Sequence, residues 1–309
     1  SERMLEVADV CYANDFGCSI SRLGLREMQQ EQKNWTYGDL YILPDRALGN
    51  AVERLAQGLD AATGWPVARI DYGRAMQGAG PVVLTSARGE ELRCSLCIVT
   101  VPVTILQDGD ISFAPELPLR KRRALSRIQM STASKVRAVY FASPPVCGPR
   151  PAGAGADAAA SPPWQVILAF RERFWPEDLF DVCCMNSFLP ELWVTSYAPS
   201  AAGGGGAAGA CVITGFVAGD RALELEALSD EEVTLRALRQ LDEMFGTAGD
   251  PRPASSRFAR SLVKHWRAEP FVRGAYSFPA AGVLPGDREA LAATVGDVLF
   301  FAGEATHTG

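Results

Sequence analysis

Three groups of residues in this 309-residue chain carry the types and spacing that chemistry needs. The first is Val298-Leu-Phe-Phe-Ala-Gly-Glu304, an apolar run ending in Gly303-Glu304. A carboxylate just past the carboxyl end of a buried strand suits gripping the hydroxyls of a sugar-like chain in the crevice of an α/β sheet. The same Glu also fits a helix N-terminal region, where the dipole favours it. The second is Lys264-His-Trp266-x-x-x-Pro270-x-x-x-Gly274-x-Tyr276. Its two large aromatics flank a Pro/Gly turn and, by themselves, fit core anchors that pin a loop. The third is Lys135, which opens the apolar run to Phe141. A lysine on a buried strand needs a partner or a depressed pKa, unless its stem lets the ammonium snorkel to water.

Other chemistries lack raw material. Gly204-x-Gly206-x-x-Gly209 matches a phosphate-cradling loop by letter, but Cys211 to Val217 reads as a strand where the mechanism needs a helix opening on the last glycine. No G-x-S-x-G elbow or P-loop is present. Two histidines, His265 and His307, leave little for His-based metal sites, and Cys94-x-x-Cys97 has no second pair, so its thiols read as strand packing. No metal is expected. The eight cysteines do not read as a disulfide framework in a chain this long, which favours a reducing, intracellular setting for a soluble protein. Thirty basic against thirty-six acidic side chains offer no footprint for nucleic acid, and no apolar run reaches a membrane span.

The elements that must position these residues follow from periodicity. Glu2 to Ala13 reads as a helix, and Ser19–Ser21 as the cap of a second one running through Leu23, Leu25 and Met28. Tyr41-Ile-Leu-Pro44 reads as a short strand. Leu48, Val52, Leu55 and Leu59 mark an amphipathic helix. Three strand signals follow, at 66–72, 81–85 and 92–101, as an antiparallel meander that delivers the buried run Cys97-Ile-Val-Thr-Val-Pro102. After it come a basic helix from Pro118 to Ile128, a strand from Ser134 to Phe141, and further strands at 164–170, 192–197 and 211–218. Two low-complexity stretches, 144–163 and 198–210, read as surface loops. Ser229 with Glu232 forms a capping box for a helix to Phe245, whose apolar line Val233, Leu235, Leu238, Leu241, Met244 and Phe245 reads as core. The last strands are 257–266 and 298–301.

Taken in order, these segments resemble the FAD-dependent amine oxidases: polyamine oxidases, monoamine oxidases and flavin histone-lysine demethylases. Tyr41-Ile-Leu-Pro44 with the 48–59 helix is similar to the family's V-P-G-G segment and the helix after it, with Asp45-Arg46 in place of the glycines. Pro66-Val67-x-x-Ile70 resembles the strand that meets the FAD adenine. Cys97-Ile-Val-Thr100-Val-Pro102 followed by Pro115-x-Leu-Pro118 is similar to V-x-T-V-P…P-x-L-P. Lys135, Trp266, Tyr276 and Phe301-Ala-Gly-Glu304 match the family's active-site lysine, flavin-facing aromatics and F-A-G-E.

The resemblance implies an α/β fold: an incomplete Rossmann-like FAD-binding domain (residues 41–108 and 286–309) and an α+β substrate domain (1–40 helical, 109–285) with a mixed sheet flanked by helices. It implies FAD held by Val67, Thr100, Pro102, Trp266, Gly303 and Glu304. Ala275 stands where monoamine oxidases carry their flavin-linked Cys, so the cofactor would be noncovalent. It implies catalytic roles for Lys135, which would hold a water at flavin N5, and for Tyr276 and Trp266 at the flavin face. The partners would be a small-molecule amine, a polyamine in the first reading, and O₂. Hydride transfer to the flavin would yield an imine, then an aldehyde and H₂O₂. A histone-lysine demethylase, which would carry a helical tower insert not seen here, and an inactive remnant are the alternatives. The family's GxGxxG unit and its last helix are not among these residues, so the resemblance also implies a fragment.

Overall fold

A computed structural model describes residues 2–36, 48–131, 164–196 and 211–307. The expected strands Tyr41–Pro44 and Ser134–Phe141, both low-complexity stretches and Lys135 lie outside the described residues.

The chain opens with α1 (Glu2–Ala8), which runs on through a wider π turn, Asp9–Ala13. The second helix, α2 (Leu25–Asn34), starts at Gly24 and not at Ser19–Ser21. Ser19 is spent elsewhere, because its hydroxyl accepts the Asp220 amide at 2.8 Å, and Leu23 bridges to Ala280. The amphipathic helix α3 (Leu48–Leu55) stops short of Leu59, and Leu48, Val52, Leu55 and Leu59 are all exposed. An apolar stripe becomes core only where another element offers apolar surface, and none of the described residues covers this one.

The meander forms as β1 (Val67–Asp71), a short α4 (Gly73–Met76), β2 (Val82–Ser86) and β3 (Glu91–Cys94). The expected single run 92–101 breaks after Cys94, and β4 (Cys97–Val99) leaves for another sheet. Helix α5 (Val103–Gln107) leads to β5 (Ser112–Ala114), which joins β1 in parallel to complete a mixed sheet of order β3-β2-β1-β5. The basic helix α6 (Leu119–Arg127) and β6 (Gln129–Met130) follow.

The second unit is a five-stranded sheet, antiparallel in every pair. Its strands are β7 (Trp164–Phe170), β8 (Asp181–Cys183), β9 (Glu191–Ser196), β10 (Cys211–Val217) and, after the helices α7 (Arg221–Glu226), α8 (Asp230–Phe245) and α9 (Pro253–Arg257), β11 (Phe258–His265). The capping box forms: Ser229 Oγ accepts the Glu232 amide and the Glu232 carboxylate accepts the Ser229 amide. Val233, Leu238 and Leu241 of α8 pack with Val166, Leu168, Leu192 and Ile213 of the sheet in one core. Leu235 and Met244, expected in that core, are exposed; they stand on the far side of a stripe narrower than the apolar line suggests.

The chain then returns through β12 (Ser277–Phe278), paired with β6, and α10 (Asp287–Ala292) to β13 (Leu299–Phe301), which lies parallel to β4. Ile70, Val99, Leu117, Leu291, Leu299 and Phe301 form the core joining the meander to these last elements.

Candidate functional site

Open α/β sheets receive ligands in the crevice beyond the carboxyl ends of their parallel strands. In this chain β4 and β13 end side by side, and the backbone crosses between them, with the Ala302 amide donating to Val99 O at 3.1 Å. Past that point the two segments diverge around a cleft of about 130 Å³. One wall is Val99 to Val103, the other Phe301 to Thr306, and Met130, Ala275 and Leu291 close it. Gly303 makes the second wall possible. Its φ of +120° is one that side chains rarely adopt, and a Cβ there would lie 3.5 Å from Thr100 O.

Glu304 stands at the cleft with a fixed carboxylate. Its Oε1 accepts the Ser277 amide at 3.0 Å and the Ser277 hydroxyl at 2.7 Å. Arg288 Nη1 in turn donates to Ser277 Oγ at 2.6 Å, and the guanidinium is anchored on Glu31 at 2.8 Å. None of the described residues donates to Glu304 Oε2.

The aromatic-bearing turn docks on the first wall. Thr104 Oγ donates to Val272 O at 2.6 Å, and Arg273, held at a φ of +49°, pairs with Asp108 at 3.3 Å and with Asp110. That docking brings Ala275 into the cleft. Tyr276, one residue on, is half-buried; its phenol donates to Asp15 O and its carbonyl accepts the Ser131 amide at 2.7 Å. Burial, then Asp15 and Glu191, push the phenol well above its ordinary range, so it stays a neutral donor. Gly17 packs against this ring, where a Cβ would come within 3.2 Å of it and 2.4 Å of Ser131 Cβ.

Thr100, Pro102, Gly303 and Glu304, separated by up to about two hundred positions, therefore meet in one cleft, with Tyr276 adjoining it. Trp266 and Val67 do not line it. Trp266 follows β11, where its indole donates to Gln165 at 3.3 Å and the Lys264 ammonium lies 5.2 Å from its ring centre. Val67 opens β1 opposite Ser86 and packs against the core beneath the cleft. Lys135, the remaining expected site residue, is outside the described residues.

Three features escaped sequence reasoning. Lys121 is buried on a helix that the sequence marks only as basic. Its ammonium donates to the Ala290, Leu291 and Ala293 carbonyls that end α10 and sits 3.8 Å from the Phe301 ring centre. Burial lowers its pKa to about 8. Glu191 is also buried, accepting from Asn14 at 2.7 Å and Trp193 at 2.5 Å; burial outweighs those bonds and lifts its pKa to about 7. Asp15 and Asp181 add to that lift. Ser277 is the third. A lysine within a cluster of arginines and a Glu on an alternating strand give no local signal of these partners.

Among the described residues no helix is long and apolar enough to cross a membrane, and no cluster of metal-ligating side chains occurs. The family model for flavin containing amine oxidoreductases matches residues 3–144 and 142–309. Lysine-specific histone demethylase 1 homolog 1 of Oryza sativa subsp. japonica is 29% identical over 315 aligned residues, covering 99% of this chain and 31% of the relative. Human lysine-specific histone demethylase 2 is 25% identical across 83% of this chain and 26% of its own length. This chain thus spans between a quarter and a third of these relatives' length. Among solved structures, cyclohexylamine oxidase from Brevibacterium oxydans IH-35A superposes with a TM-score of 0.65 at 16% identity, covering 99% of this chain and 58% of that one. Putrescine oxidase bound to putrescine gives 0.60 at 16%, covering 85% and 49%. At that identity the likeness is one of fold.

Proposed function

The chain belongs to the flavin-containing amine oxidoreductases, and on that premise we propose that it supplies the substrate half and one wall of the cofactor cleft of an enzyme that oxidises an amine beside its nitrogen, with noncovalent FAD. The observation that carries this reading is the meeting of Thr100, Pro102, Gly303, Glu304 and Ala275 at the ends of two parallel strands.

The residues present fit such a group. The glycine at 303 lets a ligand approach backbone closely, and the carboxylate with one open oxygen suits a polyol hydroxyl. Ala275 offers a methyl, which cannot form the thioether of a covalent flavin. When bound, the flavin supplies the hydride acceptor. Glu304 would hold a hydroxyl through Oε2, because Ser277 occupies Oε1 and Arg288 holds Ser277. Thr100 and Pro102 form the opposite wall. Tyr276, kept neutral and tethered to Asp15 O, is a flat wall past which an uncharged amine slides. Lys135 would place positive charge and a water where negative charge develops, and Trp266 and Val67 would complete the flavin and adenine contacts. The imine would hydrolyse to an aldehyde, and O₂ would take the two electrons removed from the amine, with two protons, to give H₂O₂.

For the substrate, a polyamine is the first reading, supported by the fold shared with putrescine oxidase. Methylated lysine is the second, favoured by relatives whose names are histone demethylases. The test is the full-length enzyme's turnover of spermine against a methyl-lysine peptide, with a flavin band near ~450 nm as the cofactor readout. Colourless protein that stays apo after adding FAD overturns the cofactor reading. Turnover of the peptide alone selects the second substrate. Lys135→Met is expected to slow turnover at least ~tenfold, and unchanged turnover removes that role.

A further inference from the structure

The first helix is tied to the β8–β9 hairpin at two places. The Asn186 amide donates to Glu6 Oε1 at 2.8 Å, and Asn14 Nδ2 donates to Glu191 Oε2 at 2.7 Å. Cys11 stands between those two anchors, one turn before Asn14. On the hairpin, Cys183 is the direct cross-strand partner of Glu191, and residues opposite one another in an antiparallel pair share a face. The register therefore puts the Cys183 side chain on the side of the hairpin that carries the carboxylate Asn14 holds, and the Cys11 thiol is near enough to act on the Cys183 thiol. Cys11 is half-buried, Cys183 is exposed, and both are free.

We propose that Cys11 and Cys183 form a modification site: a dithiol that a peroxide oxidises to a disulfide, stapling the first helix to β8. The Cys11 sulfur, its proton lost to solvent, attacks a peroxide oxygen. The S–O bond forms as the O–O bond breaks, and the departing hydroxide takes up a proton as water. The Cys183 sulfur then attacks the sulfenic sulfur. The S–S bond forms, the S–O bond breaks, and the hydroxyl leaves as water with the Cys183 proton. In sum two thiols and one H₂O₂ give one disulfide and two waters. Desolvation of its sulfur first, then the Cys11 thiol and the charges of Asp181 and Glu191, push the Cys183 thiol up to about 12, so that sulfur keeps its proton until it attacks.

The consequence reaches the candidate site. The helix that Cys11 would staple ends at Ala13, two residues before Asp15, whose carbonyl accepts the Tyr276 phenol. Oxidation therefore immobilises the support of the proposed substrate wall. Peroxide is also the co-product of the proposed reaction, but the dithiol needs only the oxidant, so the test stands apart from that reading.

Reduced full chain is treated with hydrogen peroxide, blocked with N-ethylmaleimide and mapped with chymotrypsin without reductant. The expected product is a cross-link between the Cys11 and Cys183 peptides that persists in Cys18→Ser and Cys184→Ser and disappears in Cys11→Ser and Cys183→Ser. Should either of the last two fail to fold, the cross-link in Cys184→Ser decides alone, since chymotryptic cleavage at Tyr12 separates Cys11 from Cys18. A cross-link that survives Cys183→Ser, or recovery of both thiols unlinked, overturns the proposal. Tyr12 is 56% exposed, and its cleavage in the native chain is expected to slow at least ~fivefold on oxidation and recover with dithiothreitol. An unchanged rate removes the clamp on the helix.

Discussion

Ser277 gives both of its donors, the amide at 3.0 Å and the hydroxyl at 2.7 Å, to a single oxygen of Glu304. The other oxygen is left without a donor among the described residues, and the carboxylate cannot rotate away without breaking both bonds. Ser277→Ala removes one of the two bonds to a carboxylate, an interaction of about 1.5–3 kcal/mol. Affinity for FAD in the full-length protein is expected to fall at least ~tenfold, read by quenching of flavin fluorescence on titration. Unaltered affinity separates Glu304 from cofactor binding.

Gly303 tests the same cleft from the backbone. At a φ of +120° an alanine is strained, and the cost of a side chain in such a conformation is of order 1–3 kcal/mol. Gly303→Ala is expected to lower the thermal midpoint and weaken FAD binding together. A variant as stable as the parent shows that this turn relaxes freely.

Lys121 ends α10 as a cap supplied from another helix. Lys121→Met leaves the Ala290, Leu291 and Ala293 carbonyls without their donor, at about 2–4 kcal/mol. The sign of its pH dependence follows from its lowered pKa. Between about 8 in the folded chain and the ordinary 10.5 the unfolded chain binds more protons, so this group's contribution to stability rises with pH over that window. Denaturant titrations at pH 8 and pH 10 check both, and the methionine variant loses the rise.

Glu191 works in the opposite sense. Its folded pKa, about 7 against an ordinary 4.5, means that the folded chain holds the extra proton. Its stabilising contribution is complete below pH 4.5 and is lost as pH rises through 7. Glu191→Gln is expected to flatten the fall in stability between pH 5 and pH 8 by roughly 1–3 kcal/mol. The same slope in parent and variant assigns the titration to another group.

Much of the framework was readable from residue order. The capping box at Ser229 and Glu232, the basic helix after Pro118, the meander and the Phe301-Ala-Gly-Glu304 turn are local patterns, governed by periods of two or about 3.6 and by turn residues. Such patterns also carried the family resemblance. They failed where a local signal had no tertiary counterpart. Ser19 caps no helix because Asp220 takes its hydroxyl, and the stripe from Leu48 to Leu59 is exposed because amphipathicity states which face is apolar and not what meets it.

The sequence by itself determined which segments form strands and helices, that a carboxylate follows a glycine at the end of the last strand, and which family these segments belong to. Only the tertiary structure decided that Glu304 would be held by Ser277, that Lys121 would be buried under Phe301, and that Cys11 would come near Cys183. These pairs lie 27, 180 and 172 positions apart. Spacing along a chain encodes periodicity within one element, whereas partners on different elements are chosen by how the elements pack, which no local pattern records.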